Sequence, residues 1–187
     1  MHCPYCQNHL RADAVECPSC RLTYPRAGAL LGALPLLHPV IADSGHLLRG
    51  KEQVKIRKRI DRLQYRFPQL VVQVVLHAFP AAHPFGLYAF WVFNGGTLAG
   101  YDNRGRNNHA ILLQIDPERG ECALMPGYGL EPFLRPGTLD HLLELASPAW
   151  ALGQWAEGIL RVLDGLDHLL ESVGTPLSQV ESAESAF

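Results

Sequence analysis

The sequence has no excess of charge of either sign. Of its 187 residues, 16 are Lys or Arg and 18 are Asp or Glu, which gives a formal net charge of −2. A protein that binds polyanions over its whole surface needs a large positive excess, so this class is excluded and any anion site must be a local patch. Charged residues make up 18% of the chain and hydrophobic residues 48%. That balance excludes a disordered chain, and the length predicts one folded domain with a small addition.

The sequence also lacks an unbroken apolar stretch long enough to cross a membrane. Residues 67–101 carry no Asp, Glu, Lys or Arg, but Pro80, Pro84 and Gly86 interrupt them. The unbroken part, residues 70–79, has the length of a buried strand and falls short of the ~20 residues of a spanning helix. The opening MHCPYCQNHL has no apolar core of a cleaved leader. We therefore expect a cytoplasmic protein without a membrane span, in a compartment that keeps thiols reduced.

Cysteine is scarce and concentrated at one end of the chain. Four of the five cysteines lie in the first twenty residues, as C-P-Y-C and C-P-S-C with ten residues between the pairs. Two C-x-x-C turns can close a tetrahedral shell of thiolates around zinc and leave no position open for catalysis. This segment, residues 1–25, resembles a zinc ribbon, and we expect it to fold as it binds the metal. The predicted ligands of this structural zinc are Cys3, Cys6, Cys17 and Cys20.

Hydrophobic periodicity predicts alternating helices and strands in the rest of the chain. Apolar residues at intervals of three and four indicate amphipathic helices, and short β-branched runs indicate buried strands. The residues between 94 and 109 are rich in Gly and Asn and predict a long loop, and residues 36–48 are predicted to be irregular. The predicted elements are helices over residues 51–67, 86–93, 138–146 and 152–173 and strands over residues 70–78, 110–116 and 121–126. Their order predicts a layered α/β sandwich.

Six short motifs follow one another through this α/β part. They are V-I-A-D-S-G-H-L-L (40–48), L-V-V-Q-V-V-L (70–76), Y-A-F-W-V-F (88–93), R-N-N-H-A-I-L-L (106–113), G-Y-G-L-E (127–131) and G-Q-W-A-E-G-I-L (153–160). In this order they resemble the TPM domain family. The resemblance implies an α/β/α sandwich with a small central mixed sheet. Together with the cysteine segment, the Pro and Gly residues that follow it and the polar end of the chain, this predicts a zinc ribbon (1–25), a linker (26–35), a TPM-like domain (36–173) and a flexible tail (174–187).

The resemblance also implies a cleft between the 94–109 loop and the G-Y-G-L-E turn. Some members of the family are acid phosphatase-like and hold a divalent cation, often calcium, on carboxylates there, whereas others are assembly or repair factors. In this chain, Asn107 replaces the family's Asp and His109 replaces its Gly. Because calcium affinity depends on the number of carboxylates, these changes weaken the case for a calcium site, although the carboxylates of Asp102 and Glu131 remain for weak binding of a cation. In this chain the candidates for catalysis in the cleft are Asp102, Glu131 and His109. The cleft residues are Asn107, Asn108, Gly127, Tyr128, Gly129 and Glu131.

A basic stripe on the first helix of this α/β part is a second candidate site. Its members recur at spacings of four, four, three and four, and they are Lys51, Lys55, Arg59, Arg62 and Arg66. The plainest interpretation is a solvated helix face. The functional interpretation is contact with nucleic acid or with an acidic partner protein. No aromatic residue is interleaved with these cations, so base-specific recognition is not expected.

Together these features favour a binding protein over an enzyme. The chain has no Walker loop, no G-x-S-x-G elbow and no H-E-x-x-H motif, and Cys122 is expected to be a buried, inert thiol. Our leading hypothesis is a catalytically degenerate TPM-domain accessory protein with a structural zinc ribbon, which engages a partner protein or an anionic ligand. One alternative is a divalent-metal-dependent phosphate monoester hydrolase. The other is a nucleic-acid-associated protein that acts through the ribbon and the basic helix.

Overall fold

The computed structural model describes residues 2–11, 14–34, 37–38, 40–95, 109–134 and 136–174. Within these residues the chain forms five helices and four strands. The elements are α1 (Tyr24–Leu31), β1 (Ile41–Asp43), α2 (Gly50–Arg66), β2 (Val71–Leu76), α3 (Phe85–Gly95), β3 (Ala110–Asp116), β4 (Glu121–Pro126), α4 (Pro136–Ala151) and α5 (Trp155–Gly174). The predicted 94–109 loop and the predicted tail lie mostly outside the described residues.

One mixed sheet forms the middle layer, with the strand order β1-β2-β3-β4. β1, β2 and β3 run parallel, and β4 returns antiparallel to β3 as the predicted hairpin, with Ile111 opposite Pro126 and Asp116 opposite Glu121. Every residue of β3 is buried. A strand that is covered on both faces is usually a continuous apolar run, and residues 110–113 of β3 show this, but Gln114 and Asp116 are polar and also buried.

Helices cover both faces of this sheet. Val72, Val74 and Leu76 of β2 belong to one core cluster with α2, α4 and α5. Val75 belongs to the cluster that α3 forms on the other face. α2 connects β1 to β2 on one face of the sheet, and α3 connects β2 to β3 on the other face. Because both connections step in the same direction along the sheet, they have opposite hands. One of them therefore departs from the usual right-handed crossover. The predicted α/β/α sandwich with a small mixed sheet is confirmed.

α2 forms as its periodicity predicts. Glu52 accepts a hydrogen bond from the backbone N–H of Arg49 at 2.7 Å and so closes the first turn. Ile56, Ile60 and Leu63 are fully buried against the sheet. The helix ends at Arg66, two residues before Pro68, which has no N–H to continue it.

The segment predicted as a linker, residues 26–35, contains most of α1 instead of an irregular connection. Thr23 caps this helix by accepting from the N–H of Arg26, Pro25 lies in its first turn, and Gly32 ends it with a φ of 82°. Pro and Gly are common in linkers. Here they mark the start and end of a short helix, which is the other place where this pair is favoured.

Two further predictions about elements are wrong. The segment 36–48 includes β1, which is only three residues long and therefore shows no strand periodicity. The predicted last helix begins at Leu152, whereas α5 begins at Trp155. Leu152 is 75% exposed, because it lies in the tight turn between α4 and α5.

Candidate metal centre and adjoining pocket

The four N-terminal thiols meet at one point. Cys3 Sγ lies 3.6 Å from Cys20 Sγ, and Cys6 Sγ lies 3.6 Å from Cys17 Sγ. All four sulfur atoms are within 4.8 Å of one another, and none of the chain's five cysteines forms a disulfide. Thiolates at about 2.3 Å from a zinc ion stand about 3.8 Å apart at the corners of a tetrahedron. The separations therefore fit a closed shell of four ligands around a metal ion.

The two C-x-x-C turns repeat the same backbone pattern. The N–H of Gln7 donates to the carbonyl of Cys3 at 3.0 Å, and the N–H of Arg21 donates to the carbonyl of Cys17 at 2.8 Å. Gln7 and Arg21 both have positive φ angles, 61° and 56°. A left-handed backbone costs a residue other than glycine about 1–2 kcal/mol, so a stronger interaction must hold both turns. Metal coordination by the four thiolates is such an interaction.

The surroundings of the thiols differ across the cluster. Cys3 and Cys17 are buried, whereas Cys6 and Cys20 are half-buried. A hydrogen bond from the backbone N–H of Cys20 lowers the pKa of the Cys17 thiol to about 6. Burial raises the pKa of Cys20 to about 12 and also raises the pKa of Cys3. A metal ion must displace protons from these thiols, so its affinity falls as the pH falls.

The ribbon (described residues 2–11 and 14–25) packs on α3. Leu10 and Leu22 of the ribbon form one buried cluster with Leu87 of α3, which is fully buried. Gly86, at the start of α3, faces the carbonyl oxygen of Pro4, and an added Cβ would lie 3.4 Å from that oxygen. The ribbon is therefore fixed on the α3 face of the sheet, away from α2.

A pocket with a volume of about 210 Å³ lies between the ribbon, α3 and the end of β4. Its lining is mainly apolar. Val15 and Tyr24 line it from the ribbon side, and Tyr128 lines it from the turn after β4. These three large side chains are exposed, Val15 to 91%. Glu16 and Glu131 also line the pocket and are exposed, so its rim is acidic.

The predicted basic stripe on α2 does not remain one free surface. Asp164 and Asp167 of α5 form ion pairs with Arg59, the second at 3.1 Å. Arg66 pairs with Asp167 and, at 2.9 Å, with Glu171. The expectation of five cations on one free face is wrong for these two arginines. It fails because α5, which is distant in the sequence, brings three carboxylates against α2.

Polar residues at the carboxyl ends of the parallel strands fix the loops that follow. Both carboxylate oxygens of Asp43 accept backbone N–H groups in the β1–α2 connection, and the fully buried Asp116 accepts the N–H of Phe79 at 2.8 Å. Ser44 Oγ lies 2.8 Å from His77 Nδ1 and ties the same connection to the end of β2. This contact could not be predicted, since nothing local in the sequence connects the two residues.

Residues 41–169 match the family model of the TPM domain, which covers more than half of the chain. The chain belongs to the TPM domain family. The match begins at β1 and ends in α5, so the ribbon and α1 lie outside the TPM domain. The four-cysteine centre is therefore an addition to this domain. A search of curated proteins gives no significant match.

Solved structures from three bacteria share the TPM domain's fold. The N-terminal domain of a P. gingivalis protein is 19% identical, with a TM-score of 0.57 over 74% of this chain and 85% of that one. The N-terminal domain of protein cg2496 from Corynebacterium glutamicum is 18% identical, with a TM-score of 0.52 over 74% and 84%. Protein BA42 from Bizionia argentinensis is 13% identical, with a TM-score of 0.56 over 70% and 86%. At these identities the likeness concerns the fold alone.

Within the TPM domain, the described residues that were predicted to line a cleft lie at the open end of the β3–β4 hairpin. The N–H of Gly127 donates to the carbonyl of Ala110 at 2.8 Å, which brings the G-Y-G-L-E turn beside His109. His109 and Gly129 are half-buried, and Glu131 is exposed. Three predicted residues lie outside the part of the chain that the structure describes: Asp102, Asn107 and Asn108.

The Cys3–Cys6–Cys17–Cys20 cluster is the one metal-binding arrangement found among the described residues. No other group of three or more His, Cys, Asp and Glu side chains in those ranges converges enough to hold an ion. Over the same ranges, no helix has both the length and the apolarity to cross a membrane.

Proposed function

We propose that this chain is an accessory TPM-domain protein that binds a partner protein and is not itself an enzyme. The observation that carries the proposal is the apolar pocket between the ribbon and the TPM domain, with exposed Val15, Tyr24 and Tyr128 around it. Large apolar side chains that gather at a concave surface are typical of interaction sites. The pocket adjoins the turn at which the family resemblance implies a cleft.

The size and charge of the pocket support a protein segment as its occupant. Pockets for small molecules usually enclose roughly 300–1,000 Å³, whereas this pocket has about 210 Å³. It therefore suits one large side chain better than a whole substrate. Glu16 and Glu131 on the lining add negative charge. The partner segment we propose has an aromatic or aliphatic side chain that fills the pocket, next to a Lys or Arg. The positive charge of that Lys or Arg would determine how the segment is oriented more than how tightly it binds.

The metal is a structural part of this site. Zinc is the ion we propose, because four thiolates in a closed tetrahedron are its usual structural ligands. Cys3, Cys6, Cys17 and Cys20 would hold it, and it would supply folding energy to the ribbon, which forms one wall of the pocket. Thiolate ligands are preserved in a reducing compartment, which supports the cytoplasm as the location.

The experiment is a selection of random displayed peptides on the purified, zinc-loaded full chain. We expect the enriched peptides to share a large apolar residue beside a Lys or Arg. Val15→Asp and Tyr128→Ser should each weaken their binding at least tenfold, because each removes apolar contact area at the pocket. Phe133→Ser is the matched control. Phe133 is also exposed and follows the same turn, but it does not line the pocket.

Two results would contradict the binding proposal. One is the absence of any enriched peptide, or the enrichment of peptides that bind the Tyr128→Ser variant as tightly as the parent. The other is turnover of an aryl phosphate with calcium, magnesium or manganese that is abolished by Glu131→Ala. That result would favour the hydrolase alternative, in which Glu131 acts with His109 at the same end of the hairpin and with Asp102.

A further inference from the structure

The ion pairs between α2 and α5 leave a second set of cations unpaired. Lys51, Lys55, Lys58 and Arg62 are all exposed, and none of them pairs with a described acidic residue. Their spacing of four, three and four places them on one face of α2. We call these four residues the basic ridge. It includes Lys58, which the predicted stripe omitted, and excludes the two arginines that α5 neutralises.

An exposed aromatic ring continues the basic ridge. Tyr65 follows Arg62 by three residues and is therefore on the same helix face. Its side chain is 87% exposed. A tyrosine this exposed contributes little to the packing of the fold. Its position at the end of a row of cations therefore points to a contact with a ligand. The predicted stripe contains no aromatic residue, because through Arg59 and Arg66 it turns toward α5 and away from Tyr65.

A groove runs beside the basic ridge, between α2 and α5. Its volume is about 690 Å³, and Lys55, Lys58 and Arg62 line it from α2. Two carboxylates also line the groove, but both are already paired. Asp164 pairs with Arg59, and Glu157 pairs with Arg161 at 3.2 Å. The charge that remains unpaired along the groove is therefore positive, although the whole chain has a net charge of −2.

We propose that the basic ridge and its groove bind the phosphate backbone of single-stranded nucleic acid. Successive cations stand about 4.5–6 Å apart along the helix axis, which suits a chain of regularly spaced phosphates. The exposed ring of Tyr65 is available to stack on an unpaired base, a contact that a duplex does not offer. This proposal goes beyond the proposed partner site and is independent of it. The ridge lies on the α2 face of the sheet, whereas the ribbon and its pocket lie on the α3 face.

The test is the binding of a labelled 20-nucleotide homopyrimidine strand to the metal-loaded full chain, measured by fluorescence anisotropy over a range of salt concentrations. Four phosphate contacts predict a slope of log K against log salt of about −3. Lys58→Ala should weaken binding and make the slope less negative by about 0.7. Tyr65→Ala should weaken binding about tenfold and leave the slope unchanged, because stacking releases no counterions.

Arg57→Ala is the matched control. Arg57 lies on the same helix and is also exposed, but the helix period places it off the ridge, and it does not line the groove. We expect it to change affinity less than twofold, and the circular dichroism of every variant should equal that of the parent. The proposal is overturned by an absence of binding at low salt, or by equal losses in the Arg57→Ala and Lys58→Ala variants. It is also overturned if polyglutamate or a nucleoside triphosphate competes as well as the strand at equal charge.

Discussion

Gln114 is a fully buried amide in the centre of β3. Neither its Nε2 nor its Oε1 atom has a hydrogen-bond partner among the described residues. Gln73 on β2 is also buried and its Oε1 likewise has no partner among the described residues, but its Nε2 donates to the carbonyl of His38 at 2.8 Å. Leaving a buried polar group unpaired costs roughly 1–3 kcal/mol, and Gln114 leaves both ends of its amide unpaired whereas Gln73 leaves one. Two glutamines on adjacent strands therefore contribute differently to stability.

Replacing Gln114 should stabilise the protein. Gln114→Met keeps the shape of the side chain and removes the unpaired polar atoms, so we expect the free energy of unfolding to rise by about 1 kcal/mol. The same change at Gln73 should lower it, because it removes a hydrogen bond. Urea unfolding at a fixed metal concentration measures both. A loss of stability in Gln114→Met would mean that the amide has a partner in the folded protein.

At the scale of elements, α4 and α5 form a hairpin whose close packing depends on two glycines. The Trp150 ring lies over Gly158, and the Leu142 side chain lies over Gly165. An added Cβ at either glycine would overlap the side chain above it. Gly153 in the connecting turn has a φ of 70°, which favours glycine for a different reason.

Gly158→Ala should separate α4 from α5. The Trp150 ring must move to admit the methyl group, and overpacking of this kind costs about 1–3 kcal/mol. Gly28→Ala in α1 is the control, because an added Cβ there meets nothing within 4 Å. That change should raise stability by up to about 1 kcal/mol through helix propensity. The two unfolding curves should therefore shift in opposite directions, and a shift in the same direction would contradict this description of the hairpin.

The length and apolar pattern of each element determine how much of the fold could be predicted from the sequence. α2 has a long, regular apolar pattern that fits a helix, whereas β2 and β3 are short apolar runs that turn residues bound, which favours strands. β1 is too short for such a pattern, and the Pro and Gly of α1 are as common in loops as at helix ends. The cysteine ligands were predictable because their spacing is local. The pairing of Arg59 with Asp164 and Asp167 was not, because it depends on how α2 and α5 pack.

At the scale of the whole molecule, the TPM domain and the ribbon are stabilised in different ways. The TPM domain has two apolar clusters, one on each face of its sheet. The ribbon has only a small cluster, made with α1 and α3, in which Cys3 and Cys17 take part themselves. We therefore infer that the metal holds the ribbon in shape and that the ribbon in turn covers Leu87 of α3.

Hydrogen exchange with and without a chelator tests this coupling most directly. On removal of the metal, we expect amide protection in the ribbon and along Phe85–Gly95 to fall at least tenfold, while β3 stays protected by the sheet. A Cys6→Ser variant should show the same pattern without chelator. Unchanged exchange in α3 would contradict the account, because the metal would then not fix the ribbon on the domain. Loss of protection throughout β3 would contradict it too, because the ribbon and the TPM domain would then unfold as one unit.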